Sequence, residues 1–118
     1  MAEQTSNNDL LLDRLVELGA QVMIVHHIPG RIRLKVRLSG LLIAGQLDIE
    51  DLVNRFEGIL EARANVAARS IVITYDTEAI AADLWEQLVN EKKDPTAQNS
   101  VRNELARLLK PEILDARA

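Results

Sequence analysis

Apolar and cationic positions alternate without a break from Arg31 to Arg37. A period of two is the signature of a half-buried strand, so Ile32, Leu34 and Val36 are expected to face a core, with Arg31, Arg33, Lys35 and Arg37 on the opposite side. Ser70 to Tyr75 alternates in the same way, with Ile71, Ile73 and Tyr75 on one face. Gln21 to Ile28 is different: Val22-Met23-Ile24-Val25 is continuously apolar, as in a strand covered on both faces, and it ends on His26 and His27. Pro29-Gly30 has the residues of a type II turn, so the two successive strands are either a tight hairpin or one long strand kinked in the middle.

The remaining apolar positions fall at helical spacing. Asn8 or Asp9 caps a helix through Leu11, Leu12, Leu15, Val16 and Leu18, with Gly19 as its stop. Asp48 caps a second, with Ile49, Leu52, Val53, Phe56, Ile59 and Leu60 in one stripe and Asp51 three residues after the cap. Thr77 is expected to cap a third, through Ile80, Ala81, Leu84, Trp85, Leu88 and Val89. Ser100 is expected to cap the last, Val101 to Leu109, with Leu105 and Leu108 on its apolar side and Pro111 ending or kinking it. Ser39 to Gln46 reads as a loop around an apolar Leu41-Leu42-Ile43-Ala44 segment. Leu60 to Arg69 reads as a short strand and turn that pairs with Ser70 to Tyr75, and Asn90 to Asn99, with Pro95, as a linker.

Strand, helix, hairpin, helix is the beginning of a ferredoxin-like α+β arrangement, an antiparallel sheet with two helices on one face. The usual closing strand is missing, which leaves an edge for Val22 to Ile28. The organisation expected is an N-terminal tail and helix over 1–20, the ferredoxin-like unit over 21–90, and a linker with a C-terminal helix over 91–118.

Composition narrows the chemistry. With 118 residues the chain is expected to hold one domain and one core. It has no cysteine, which removes disulfides, thiolate metal sites and cysteine nucleophiles. The N-terminus lacks a cationic region and Leu10-Leu11-Leu12 runs into Asp13 and Arg14, so neither a signal peptide nor a spanning helix is expected, and the cytoplasm is the default location. No nucleophile and base are placed together, and an enzyme is not expected.

Two features carry candidate chemistry. His26 and His27 are neighbours on a strand, so they point to opposite faces; a single imidazole is a weak ligand for iron, zinc or haem iron unless another subunit completes the site. Arg31, Arg33, Lys35 and Arg37 form a cationic face in a chain of net charge −4. That face is either a solvated surface or a docking surface for an acidic protein or another anion. The backbone N–H groups at Gly30, beside Arg31, also suit a carboxylate or phosphate. Nucleic acid is disfavoured, because the strand lacks the interleaved aromatics that stack bases. The apolar strand and the terminal helices need burial against something, and a homo-oligomer is expected.

From about Val25 to Val89 the chain resembles the heavy-metal-associated domain family, in its divergent branch that opens with a His, a Pro-Gly-Arg and an alternating basic strand. His27, Pro29, Gly30, Arg31, Arg33 and Lys35 carry the resemblance, followed by the helix around Phe56, the strand Ile71 to Tyr75 and the helix around Trp85. It implies a ferredoxin-like fold, a role near metal or iron handling, and partners such as a metal-transporting P-type ATPase or an iron-storage assembly. The Cys-x-x-Cys loop of the better-known members is replaced here by Ser39 to Gln46, so thiolate-based copper(I) transfer is excluded. The resulting expectation is a small non-enzymatic accessory protein of metal homeostasis that binds a partner through this strand. The alternative is an adaptor without a metal ligand.

Overall fold

The computed structural model describes residues 7–90 and 95–110. Their order is α1 (Asn7–Gly19), β1 (Val22–Ile28), β2 (Arg31–Val36), α2 (Leu41–Gly45), α3 (Leu52–Arg55), β3 (Ile59–Asn65), β4 (Ser70–Tyr75), α4 (Ala82–Asn90) and α5 (Pro95–Leu108). The four strands form one antiparallel sheet in the order β1-β2-β4-β3. This is the ferredoxin-like order, with β1 on the edge that a closing C-terminal strand normally takes. α1 and α5 are the additional terminal helices.

β1 and β2 are a hairpin, not one kinked strand. Ile28 pairs with Arg31 across Pro29-Gly30, and Gly30 has φ +96, the left-handed value that position i+2 of a type II turn requires. The Gly30 carbonyl accepts the Tyr75 N–H at 2.9 Å, which fastens the turn to β4.

Ile32, Leu34 and Val36 of β2 and Ile71, Ile73 and Tyr75 of β4 are buried on one face of the sheet. α1 lays Leu12, Leu15 and Leu18 on that core, α4 adds Leu84, Trp85 and Val89, and α5 adds Val101, Leu105 and Leu108. The terminal helices therefore share the core of the central unit. Arg102 clamps them together, its Nε donating to Asp13 at 3.1 Å and one Nη lying 3.6 Å from the Asp9 carboxylate.

Several boundaries differ from those the sequence predicts. The helix begun at Asp48 does not run to Leu60. It is a 3-10 turn (Ile49–Asp51) and the single turn α3, after which Gly58, at φ +89, turns the chain so that Ile59 and Leu60 enter β3. Asp48 does cap the start, accepting from Asp51 N. Asp76, not Thr77, organises the approach to α4: its carboxylate accepts the Glu78 N–H at 2.9 Å, and helix begins only at Ala82. α5 begins at Pro95, so the linker is shorter than read and Ser100 lies inside the helix. Pro95 suits a first helical position, where its missing N–H costs nothing. The helix stops at Leu108, and Pro111 lies outside the described residues. Ser39 to Gln46 is not a loop but a 3-10 turn (Leu38–Gly40) followed by α2, with Leu38, Leu41 and Leu42 exposed. β1 is covered on one face only, leaving Met23, Val25 and Ile28 exposed. No helix of the described residues is long and apolar enough to cross a membrane.

Candidate functional site: the open face of the sheet

The face of the sheet turned away from the helices is ordered by strand register. His26, Arg33, Val72 and Arg63 stand in one cross-strand row, and Ile28, Arg31, Thr74 and Glu61 in the next. Met23, Lys35, Ser70 and Asn65 make the third. Among the described residues no helix covers these rows, and a shallow hollow of about 960 Å³ lies over their β3 and β4 positions and the Arg31–Arg33 end of β2, lined in part by Arg31, Arg33, Glu50, Glu61, Arg63 and Val72; the β1 residues and Lys35 do not line it.

Arg31 and Arg33 are exposed and Lys35 is half-buried. Arg37 lies one residue past the strand, its backbone N–H donating to Gln21 O at 2.8 Å, and it does not line the hollow. Among the described residues no carboxylate lies within ion-pair distance of Arg31, Arg33, Lys35 or Arg37. The remaining guanidinium on this face, Arg63, donates from Nε to Glu61 at 2.7 Å. Arg33 and Arg63 flank Val72 at two strand spacings, about 10 Å between backbones, a separation that two guanidinium side chains can span toward a single anion. Arg63 is the site residue that the sequence reading missed. The stretch around it reads as a strand, but its alanines give no alternation that assigns Arg63 a face, and only the register of β3 on β4 brings it opposite Arg33.

The two histidines part company. A bulge at Val25 shifts the register between Ile24 and His26, so His26 pairs with Arg33 on the open face and His27 with Ile32 on the core face. The His27 side chain is only 8% exposed. Its Nδ1 lies 2.6 Å from Glu86 and its Nε2 2.7 Å from the Tyr75 hydroxyl. A carboxylate only accepts, so Nδ1 carries the proton and donates to Glu86, while Nε2 accepts from Tyr75 in the neutral ring. The Tyr75 ring in turn packs on Trp85 at 5.3 Å between centroids. Both ring nitrogens of His27 are thus engaged in holding β1 to β4 and α4, and neither is presented to a metal. His26 is exposed on the opposite face. Among the described residues no three His, Asp or Glu side chains are grouped to hold an ion. Gly30 sits at the turn with its carbonyl given to Tyr75 and does not line the hollow.

Comparison with known protein families, with characterised proteins and with solved structures returns no match.

Proposed function

We propose that this chain is a non-enzymatic binding module that recruits an acidic protein through the open face of its sheet. The observation that supports this reading is the row of Arg31, Arg33 and Lys35, uncovered and without a carboxylate partner among the described residues, in a chain that is acidic overall. Glu50 and Glu61 line the same face, but neither lies within ion-pair distance of these three cations. Each exposed ion pair with a partner is worth only about 0.2–1 kcal/mol, so recognition depends on several cations acting at once. The contact is fast, salt-sensitive and weak unless shape adds to it.

A fluorescent peptide rich in Glu and Asp, titrated with the protein and followed by anisotropy, tests the reading. Binding is expected at low salt, to weaken as salt rises, and to be lost in the Arg33→Glu, Lys35→Glu double variant. Equal binding by that variant, or binding of an oligonucleotide in preference to the peptide, overturns it.

A second reading draws on the placement of His26 beside Arg33 on the same face. In an accessory protein of metal homeostasis, as the resemblance to heavy-metal-associated domains implies, this imidazole is the ligand open to zinc, iron or haem, with Arg33 beside it for a propionate. The acidic partner is then a P-type ATPase or an iron-storage assembly. Haem and zinc titrations of the protein and of His26→Ala separate the two readings, since only the second loses a spectroscopic or calorimetric signal when the imidazole is removed.

A further inference from the structure

The two edges of the sheet are built differently. On β3 the edge carries Glu61 and Arg63, paired with each other, and a register shift between Ile59 and Glu61. Charged side chains and bulges of this kind keep a strand edge from joining another sheet. On β1 the sequence Val22-Met23-Ile24-Val25-His26-His27-Ile28 contains no Lys, Arg, Asp or Glu. Among the described residues its backbone pairs only with β2, and no turn or loop bonds to it. Met23, Val25 and Ile28 are 40%, 55% and 48% exposed along this edge. Among the described residues the bulge at Val25 is the one feature that interrupts this edge.

We propose that β1 pairs with β1 of a second copy of this chain, antiparallel about a twofold axis near Val25, joining two four-stranded sheets into one of eight. The occupant follows from the chemistry of the edge. An acidic partner is drawn to β2 and finds no cation on β1, whereas a neutral strand with exposed apolar side chains matches another of its own kind. A twofold between Val25 and His26 sets Met23 opposite Ile28 of the second copy and brings the two Val25 side chains close to the axis, without bringing like charges into register. The two β2 strands then lie three strand spacings apart, about 14 Å, beyond the screening length of about 8 Å at physiological salt. Their cationic rows therefore coexist and form a single, wider face. One strand pair buries a narrow interface at the low end of the size range, so a weak, concentration-dependent dimer is expected.

The absence of cysteine makes the test direct, because any thiol introduced is the only one in the chain. Sedimentation equilibrium of the whole protein is expected to show a monomer–dimer equilibrium that tightens as salt rises, opposite to the salt response of an acidic ligand on β2. Val25→Lys is expected to raise the dimer dissociation constant at least about tenfold, while Val66→Lys, at an exposed turn residue far from β1, leaves it unchanged. Under mild oxidation Val25→Cys is expected to cross-link rapidly and Val66→Cys not to. Both positions are exposed, and circular dichroism verifies that each of the four variants is folded. A protein that stays monomeric into the high micromolar range, a dimer insensitive to Val25→Lys, or equal cross-linking at 25 and 66 overturns the proposal. Arg33→Glu with Lys35→Glu leaves this dimer intact, so its failure and that of the acidic-partner reading are told apart.

Discussion

His27 donates to Glu86 across 2.6 Å, joining residues 59 positions apart and fastening the edge strand β1 to helix α4. On its other side the same ring accepts from Tyr75, itself nearly fully buried. Replacing His27 by Ala removes both bonds and strands the Tyr75 hydroxyl, a loss expected to cost about 2–4 kcal/mol in urea unfolding. Tyr75→Phe removes the stranded group, so the double variant is expected to be more stable than the sum of the single losses predicts, by about 0.5–3 kcal/mol. His26→Ala, on the exposed face, is expected to fall within about 0.5 kcal/mol of the parent.

The glycines make a graded series. Gly58 has φ +89, and a Cβ there would lie 2.7 Å from the Ala79 Cβ, so Gly58→Ala combines strain with a clash between the turn and the approach to α4. A loss of about 2–4 kcal/mol is expected. Gly30 has the same kind of backbone angle, but its nearest neighbour would be 3.6 Å away, and Gly30→Ala is expected to cost only the strain, about 1 kcal/mol. At Gly45 nothing lies within 4 Å, and Gly45→Ala at the end of α2 is expected to stabilise by about 0.4–1 kcal/mol. Thermal melts rank the three.

Unpaired cations gathered on one face are a cost to the free protein. Arg31, Arg33 and Lys35 project from one face at intervals of about 7 Å, where two like charges in water repel by roughly 0.6 kcal/mol before screening. Arg33→Gln is therefore expected to leave stability unchanged or raise it by up to about 0.5 kcal/mol at low salt, an effect that fades as salt is added. Should unfolding show a clear loss instead, Arg33 is serving the fold and not a partner.

β2 and β4 were legible in the sequence because strict alternation on a one-sided sheet has no helical counterpart, and His26 and His27 fell on opposite faces for the same reason. The residues from Ile49 to Leu60 misled because their spacing continues a helical stripe across the α3–β3 junction. Only Gly58, whose left-handed angle breaks the run, marks the change, and a glycine in a helical pattern is a weak signal. Pro95 reads in the sequence as a linker residue but opens α5, since proline serves both roles. Of the candidate site, the β2 cations could be read from one strand. Arg63 could not, because its place beside Arg33 is a property of strand order and register, set by contacts that local sequence does not encode.

The C-terminal helix reads in the sequence as an appendage beyond a linker, yet it behaves as a structural part of the core. Val101, Leu105 and Leu108 are buried in the same cluster as Phe56 and Trp85. The chain around α5 also completes the backbone bonding of α3: Glu57 N–H donates to Leu108 O at 2.7 Å, Lys110 N–H to Arg55 O at 2.8 Å, and Phe56 bridges to Leu109. Burying three large aliphatic side chains contributes about 1.5–3 kcal/mol each, which together rivals the 5–15 kcal/mol that typically holds a small domain folded. A chain ending at Asn90 is accordingly expected to lose cooperative unfolding and to bind hydrophobic dye, and Leu105→Ala to cost about 2–5 kcal/mol. Arg102→Ala breaks the clamp to Asp9 and Asp13 but leaves the apolar contacts, so its cost is expected to stay near 1 kcal/mol and to shrink with salt. A truncated chain that still melts cooperatively near the parent temperature would show that α5 rests on the domain without supporting it.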